Sequence, residues 1–163
     1  MERSTVRWSS MEKFELKIPP VAIFIVALLL MHRISYSFEF ASLALPAPRA
    51  VFAICFVLSG IVGLLGIYEF RRKKTTVNPT KPETTSCIVD SGIYRYSRNP
   101  MYLGLFFLLF GVAYWQHNGL SLVVAFLFVW FMNRFQIYPE ERVLEARFGE
   151  EYVDYKQRVR RWI

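Results

Sequence analysis

Two short stretches concentrate the residues able to hold or steer a charged ligand. The first is "YRYSRNPMY", Tyr94–Tyr102, with Arg98, Asn99 and Pro100 at its centre. Pro100 suits the first turn of a helix, where its missing N–H costs nothing, and Asn99 before it is a good N-cap. The step is then either a helix start with an interfacial arginine, or a helix N-terminus aimed at an anionic ligand group with Arg98 beside it. The second stretch is "RFQIYPEER", Arg134–Arg142. Glu140 and Glu141 are either first-turn acids favoured by the helix dipole, or carboxylates that hold a ligand ammonium. Two carboxylates near two arginines suit a zwitterion such as an amino-acid moiety. Tyr94, Tyr96, Tyr102 and Tyr138 offer faces for a cation, although tyrosines at a membrane interface are also common for ordinary reasons.

The elements that carry these stretches are apolar. Of the 163 residues, 54% are hydrophobic, 17% aromatic and 20% charged, with net charge +7. The apolar residues come in blocks, so the chain reads as an integral membrane protein in contact with a lipid bilayer. Nucleic acid is excluded as a partner, because the basic residues flank the apolar blocks and form no separate stripe. Two cysteines, Cys55 and Cys87, and two distant histidines, His32 and His117, make neither a disulfide framework nor a metal site. No GxGxxG follows a strand and no P-loop is present. Gly60, Gly63 and Gly66 fall inside an apolar segment and read as helix-packing residues.

An all-α fold with about four transmembrane helices is expected, as one membrane domain over 1–163. A mixed-charge arm, 1–17, lacks a cleavage site and precedes a retained helix, and Met11 is a candidate natural start. The apolar segments are Ile18–Phe38, Ala50–Tyr68, Met101–Trp115 and Leu120–Met132. Arg33 in the first is expected to snorkel or to pair with Glu39. The last two are joined by "QHNG" as a hairpin. Each is short: 15 residues rise about 22 Å against a hydrocarbon core of about 30 Å. To cross, they must draw in polar flanks, and Arg98, Asn99, Arg134 and Gln136 then need protein or water beside them. With four spans, 18 of the 20 basic residues share one side and only Arg33 and Arg49 lie opposite. Both termini are therefore expected to be cytoplasmic.

The hairpin brings "YRYSRNPMY" and "RFQIYPEER" together at its open end, beside the loop Thr75–Gly92. Beyond them Leu144, Phe148, Tyr152, Tyr155 and Val159 repeat at helical spacing as one apolar face, with Gly149 as a bend. This amphipathic C-terminal helix lies on the membrane surface or folds back as a lid.

"SGIYRYSRNPMYLG" followed by "PEERVLEARFGEEYVDYKQRVRRW" resembles the isoprenylcysteine carboxyl methyltransferase family, part of a wider group with the phospholipid N-methyltransferases. The resemblance covers roughly Thr75 to Trp162. It implies an integral membrane methyltransferase that uses S-adenosyl-L-methionine. Carried over by position, Cys87, Ile88, Val89, Tyr94, Arg98, Asn99, Pro100, Met101 and Tyr102 belong to the cofactor pocket. Glu140 corresponds to the carboxylate at the cofactor's amino group, and Glu141 is its neighbour. Many members have Arg-His-Pro where this chain has Arg98-Asn99-Pro100, which excludes proton shuttling there. Gln136 stands where the eukaryotic enzymes place a substrate-side arginine, with Arg134 two residues earlier.

The reaction expected is in-line displacement on an activated methyl carbon, with Glu141, Arg134 and Gln136 positioning the acceptor. The acceptor is a carboxylate, thiol or amine, small or lipophilic. Two other classes remain open on sequence. One is an NADPH-dependent membrane reductase of the sterol-reductase type, with Arg71–Lys74 at the extra phosphate. The other is a non-catalytic membrane protein in which each motif is a cap or an anchor.

Overall fold

A computed structural model describes residues 15–74 and 84–163. Its helices are α1 (Pro20–Ser37), α2 (Pro48–Arg72), α3 (Pro100–Trp115), α4 (Gly119–Phe131), α5 (Tyr138–Phe148) and α6 (Glu150–Arg158). The pairing of Ser42 with Asn118 is an isolated bridge, and no strand occurs among the described residues. The fold is all-α, as expected. Arg3, Arg7, Lys13, Lys81 and the extension Met1–Ser10 lie outside the described residues, as does the first half, 75–83, of the loop Thr75–Gly92.

α1, α2 and the run Gly119–Phe148 are long and apolar enough to cross a membrane, while α3 is shorter. The expectation of two short hairpin helices holds only for α3. α4 does not stop at Met132. It continues through a π-helical segment, Met132–Ile137, straight into α5. A π turn keeps its backbone bonded while admitting an extra residue. The polar side chains of that segment meet protein: Trp162 Nε1 donates to Asn133 Oδ1 at 3.0 Å, and Arg134 pairs with Glu15 at 2.6 Å.

α3 can be short because protein surrounds it. It lies along α2 and also meets α4 and α1. Gly104 and Gly111, seven residues apart, share one face of α3. A Cβ at 104 would sit 3.1 Å from the Ser59 carbonyl oxygen, and one at 111 would sit 2.8 Å from Cys55 Cβ. On the α2 side, Gly66 faces Met101, whose Cγ would lie 2.9 Å from an added Cβ. Gly60 and Gly63 differ from expectation, since an added Cβ at either meets nothing within 4 Å. Gly63 still serves the seam through its backbone, 3.4 Å from that Cβ at 104. The outward faces of α2 and α1 expose Ile54, Phe56, Val57, Leu64, Val26 and Leu29, as lipid contact requires. Arg33 is exposed and makes no ion pair with Glu39 among the described residues.

Each end of the bundle is tied. At one end Asn118 caps α4, accepting from Leu120 N and Ser121 N, and donates to the Phe38 carbonyl at 3.0 Å. His117 O accepts from Leu43 N at 2.7 Å. At the other end the start of α1, the end of α2, the start of α3 and the end of α4 meet: Leu16 N donates to Phe135 O at 3.1 Å, and Arg98 N donates to Arg160 O at 3.0 Å. The described basic residues other than Arg33 and Arg49 belong to segments at this second end.

The tail helix breaks at Gly149 (φ 55°), the bend expected there. Tyr152, Tyr155 and Val159 are buried, and Leu144, Phe148 and Ile88 pack against them. The apolar face of α5 and α6 therefore covers the loop before α3 and does not lie on lipid.

Candidate functional site

The site lies where the start of α3, the π segment, α5 and the residues after α6 converge. Pro100 occupies the first turn of α3 and Asn99 the cap position. The Asn99 side chain does not cap. Its Nδ2 donates to the Arg161 carbonyl at 3.0 Å instead. The expected cap is thus replaced by a tie to the C-terminal residues, which run back over this corner as a strap.

Arg98 is the second tie. Its Nη1 donates to the carbonyls of Lys156 (3.0 Å) and Val159, at the end of α6, and its Nη2 pairs with Glu141 Oε1 at 2.7 Å. Arg161 completes the cluster with a two-pronged pair to Glu141, Nη2 to Oε2 at 2.6 Å and Nε to Oε1 at 3.1 Å. Its guanidinium also stacks 4.1 Å over the Tyr138 ring. Partial burial works against the Arg161 charge, but the Glu141 carboxylate outweighs it and raises its pKa. The side chains of Arg98 and Glu141 are only 9% and 7% exposed. The Arg98 Nε is buried and has no hydrogen-bond partner among the described residues.

Glu140 behaves differently. Successive helix residues point about 100° apart, so Glu141 faces the strap while Glu140 faces α3. Glu140 Oε1 accepts from Tyr102 Oη at 2.7 Å and from Gln136 Nε2 at 2.8 Å. Glu140 is half-buried, and no cation among the described residues pairs with it. Both of these bonds end on Oε1. A half-buried carboxylate left without a counter-charge is costly unless something supplies one.

The remaining candidates divide into walls and anchors. Tyr94 and Val89 are buried, and Ile88 packs on the α6 tyrosines. The Tyr94 carbonyl accepts from Tyr155 Oη at 2.8 Å, and its ring meets Phe70 edge-on at 5.3 Å. Burial raises the Tyr94, Tyr152 and Tyr155 hydroxyls well above the usual phenol range, so all three are neutral donors. Cys87 is half-buried, with Sγ 3.9 Å from the Lys73 carbonyl. Met101 lies on the α2 seam.

Of the three acceptor-side candidates, Gln136 is 1% exposed and holds Glu140. Arg134 pairs with Glu15, which also binds Arg142. Glu141 is neutralised within the cluster. Thus Tyr102, Gln136 and Glu140 come together, as do Arg98 and Glu141, whereas Arg134 and Cys87 stand at the periphery. Sequence reasoning missed Arg161, Trp162 and Glu69. The first two are basic and aromatic residues at the chain end, without a marker in the sequence. Glu69 had one: it is an acid at the end of the apolar run Ala50–Tyr68, beside basic residues, and it is buried here.

A model of the phospholipid methyltransferase family matches residues 48–151. A Saccharomyces cerevisiae protein named protein-S-isoprenylcysteine O-methyltransferase is 32% identical over 130 residues, covering 76% of this chain and 54% of that protein. A Mus musculus protein of the same name is 41% identical over 75 residues, 46% of this chain and 26% of that protein. One from Arabidopsis thaliana, named protein-S-isoprenylcysteine O-methyltransferase B, is 29% identical over 103 residues, 63% and 52% of the two chains. The chain spans about half the length, or less, of these relatives. Because the family match takes in the α2–α3 seam, the turn at Pro100 and the Glu140–Glu141 step together, the chain belongs to the phospholipid methyltransferase family.

Proposed function

We propose that the protein is a membrane methyltransferase that binds S-adenosyl-L-methionine at the Glu140 corner and passes its methyl group to a carboxylate, thiol or amine acceptor. One observation carries this reading. Glu140 is a half-buried carboxylate, positioned by Tyr102 and Gln136 on one oxygen, and no cation among the described residues pairs with it. A ligand ammonium supplies the missing charge, and the amino-acid end of the cofactor has one. When bound, the cofactor supplies a methyl group already activated on sulfonium.

The chain's own residues do the rest. Glu140 holds the ammonium, and Tyr102 and Gln136 orient that carboxylate. The Arg98–Glu141–Arg161 cluster keeps the start of α3 against the strap, so that Asn99, Pro100 and Met101 stay in register with α5. Val89 and Tyr94, backed by Tyr155, close the site from the loop side and exclude water. A carboxylate acceptor needs no base, while an amine or thiol must lose a proton. A carboxylate acceptor accords with the printed names of the yeast and mouse relatives. The positive-inside bias supports a cytoplasmic basic end and cytoplasmic termini.

The test is calorimetric binding of S-adenosylhomocysteine to purified protein in detergent and in lipid discs, followed by methyl transfer from labelled donor to an acceptor panel. Saturable micromolar binding and labelling of one acceptor class are the expected results. A folded protein that binds nothing in either medium refutes the reading.

A further inference from the structure

Glu69 stands near the end of α2, four residues before the C-cap Lys73. An acid there opposes the helix dipole. It is nonetheless 5% exposed, although a buried carboxylate is costly unless hydrogen-bonded or paired. Its cationic contact, Arg72 at 3.6 Å, has a side chain 59% exposed and adds little. The close partner is Ser91, whose Oγ donates to Glu69 Oε2 at 2.6 Å. Next to it Gly92 adopts φ +57°, and a Cβ there would sit 2.4 Å from Glu69 Oε1 and 2.6 Å from Cδ. The carboxylate, the hydroxyl and the absent side chain therefore specify one another: Ser91 brings a donor, and only glycine lets the turn press onto the carboxylate in the left-handed conformation.

The same last turns of α2 hold the loop elsewhere. Phe70 meets the Tyr94 ring, Lys73 lies 3.8 Å from Asp90, and Cys87 Sγ contacts the Lys73 carbonyl. The last two are long or solvent-screened. Glu69–Ser91 is the short one, with its carboxylate buried, and Ser91 sits two residues from Val89 and three from Tyr94.

We propose that Glu69 is the positioning residue of the loop that walls the cofactor site: its buried carboxylate latches Ser91 and the Gly92 turn onto α2 and so fixes Val89 and Tyr94. The assignment rests on the methyltransferase reading for its consequence, but the latch itself is independent of any ligand. The test therefore has two arms, on Glu69→Ala, Glu69→Gln and Ser91→Ala. In the first, amide exchange is followed in the ligand-free protein. Glu69→Ala and Ser91→Ala are expected to raise exchange at Tyr94, whose N–H bonds to the Ser91 carbonyl at 3.1 Å, while the amides of α3 stay protected. Glu69→Gln keeps an acceptor for Ser91 and restores protection. In the second arm, S-adenosylhomocysteine affinity falls about tenfold in both alanine variants, the worth of one such hydrogen bond, and recovers in Glu69→Gln. Wild-type exchange at Tyr94 in Ser91→Ala overturns the latch, even if Glu69→Ala does not fold. Faster exchange with unchanged affinity overturns the role in binding. Absence of binding by the wild-type protein refutes the methyltransferase reading, and the exchange arm still decides the latch.

Discussion

Glu140→Gln separates a ligand-binding carboxylate from a structural one. The substitution keeps the shape and an acceptor oxygen for Tyr102 and Gln136, now 2.7 and 2.8 Å from Glu140 Oε1. It replaces the other oxygen, Oε2, with an NH₂ group. A charge-assisted hydrogen bond to an ammonium contributes about 1.5–3 kcal/mol, so S-adenosylhomocysteine should bind about 10- to 150-fold more weakly. The ligand-free protein loses no ion pair, and its melting temperature should hold or rise. Glu141→Gln is the control with the opposite signature. It leaves Arg98 and Arg161 without their anion, and breaking a buried pair of this kind costs about 3–5 kcal/mol of stability. Calorimetry with thermal unfolding in the same detergent reads both quantities. Affinity within about twofold of wild type in Glu140→Gln, or a drop in its ligand-free melting temperature like that of Glu141→Gln, would refute the assignment.

Three further outcomes follow from the geometry. Gly104→Ala pushes a Cβ to 3.1 Å from the Ser59 carbonyl and should destabilise the α2–α3 seam by about 1–3 kcal/mol. Gly60→Ala meets open space and should be neutral or stabilising by about 0.5–1 kcal/mol; equal losses in denaturant titrations would refute the seam. Removing Val159–Ile163 deletes the Arg161 and Trp162 ties, and should abolish S-adenosylhomocysteine binding while α1–α4 remain helical by circular dichroism; retained affinity would remove the strap from the site. Asn118→Ala loses the α4 cap at the far end and should cost about 1 kcal/mol of stability with affinity unchanged; a change in affinity would mean that the two ends are coupled.

The sequence by itself determined the material of the fold. Blocks such as Ala50–Tyr68 and Met101–Trp115 are helical membrane segments because their composition and length leave few other states open to them in lipid. The "QHNG" turn forces the two ends of the hairpin together, which made the nearness of Arg98-Asn99-Pro100 and Glu140-Glu141 legible before any coordinates. The period of Leu144, Phe148, Tyr152, Tyr155 and Val159 predicted one apolar face, and that face is buried as a unit. Partners drawn from distant parts of the chain were not legible. Asn99 has the character of a cap, yet its amide goes to Arg161, 62 residues away. Glu140 and Glu141 are the same residue type side by side. Their division, one neutralised by two arginines and one bonded to Tyr102 and Gln136, depends on which neighbour each side chain meets after the strap folds back. The shortness of the fourth segment already required protein or water beside Arg134 and Gln136, but it did not say which partners they would find: Asn133, Arg134 and Gln136 meet Trp162, Glu15 and Glu140. Local pattern determines which helices form. Long-range pairing of buried polar groups, each costly if left alone, decided which of their residues are free to act.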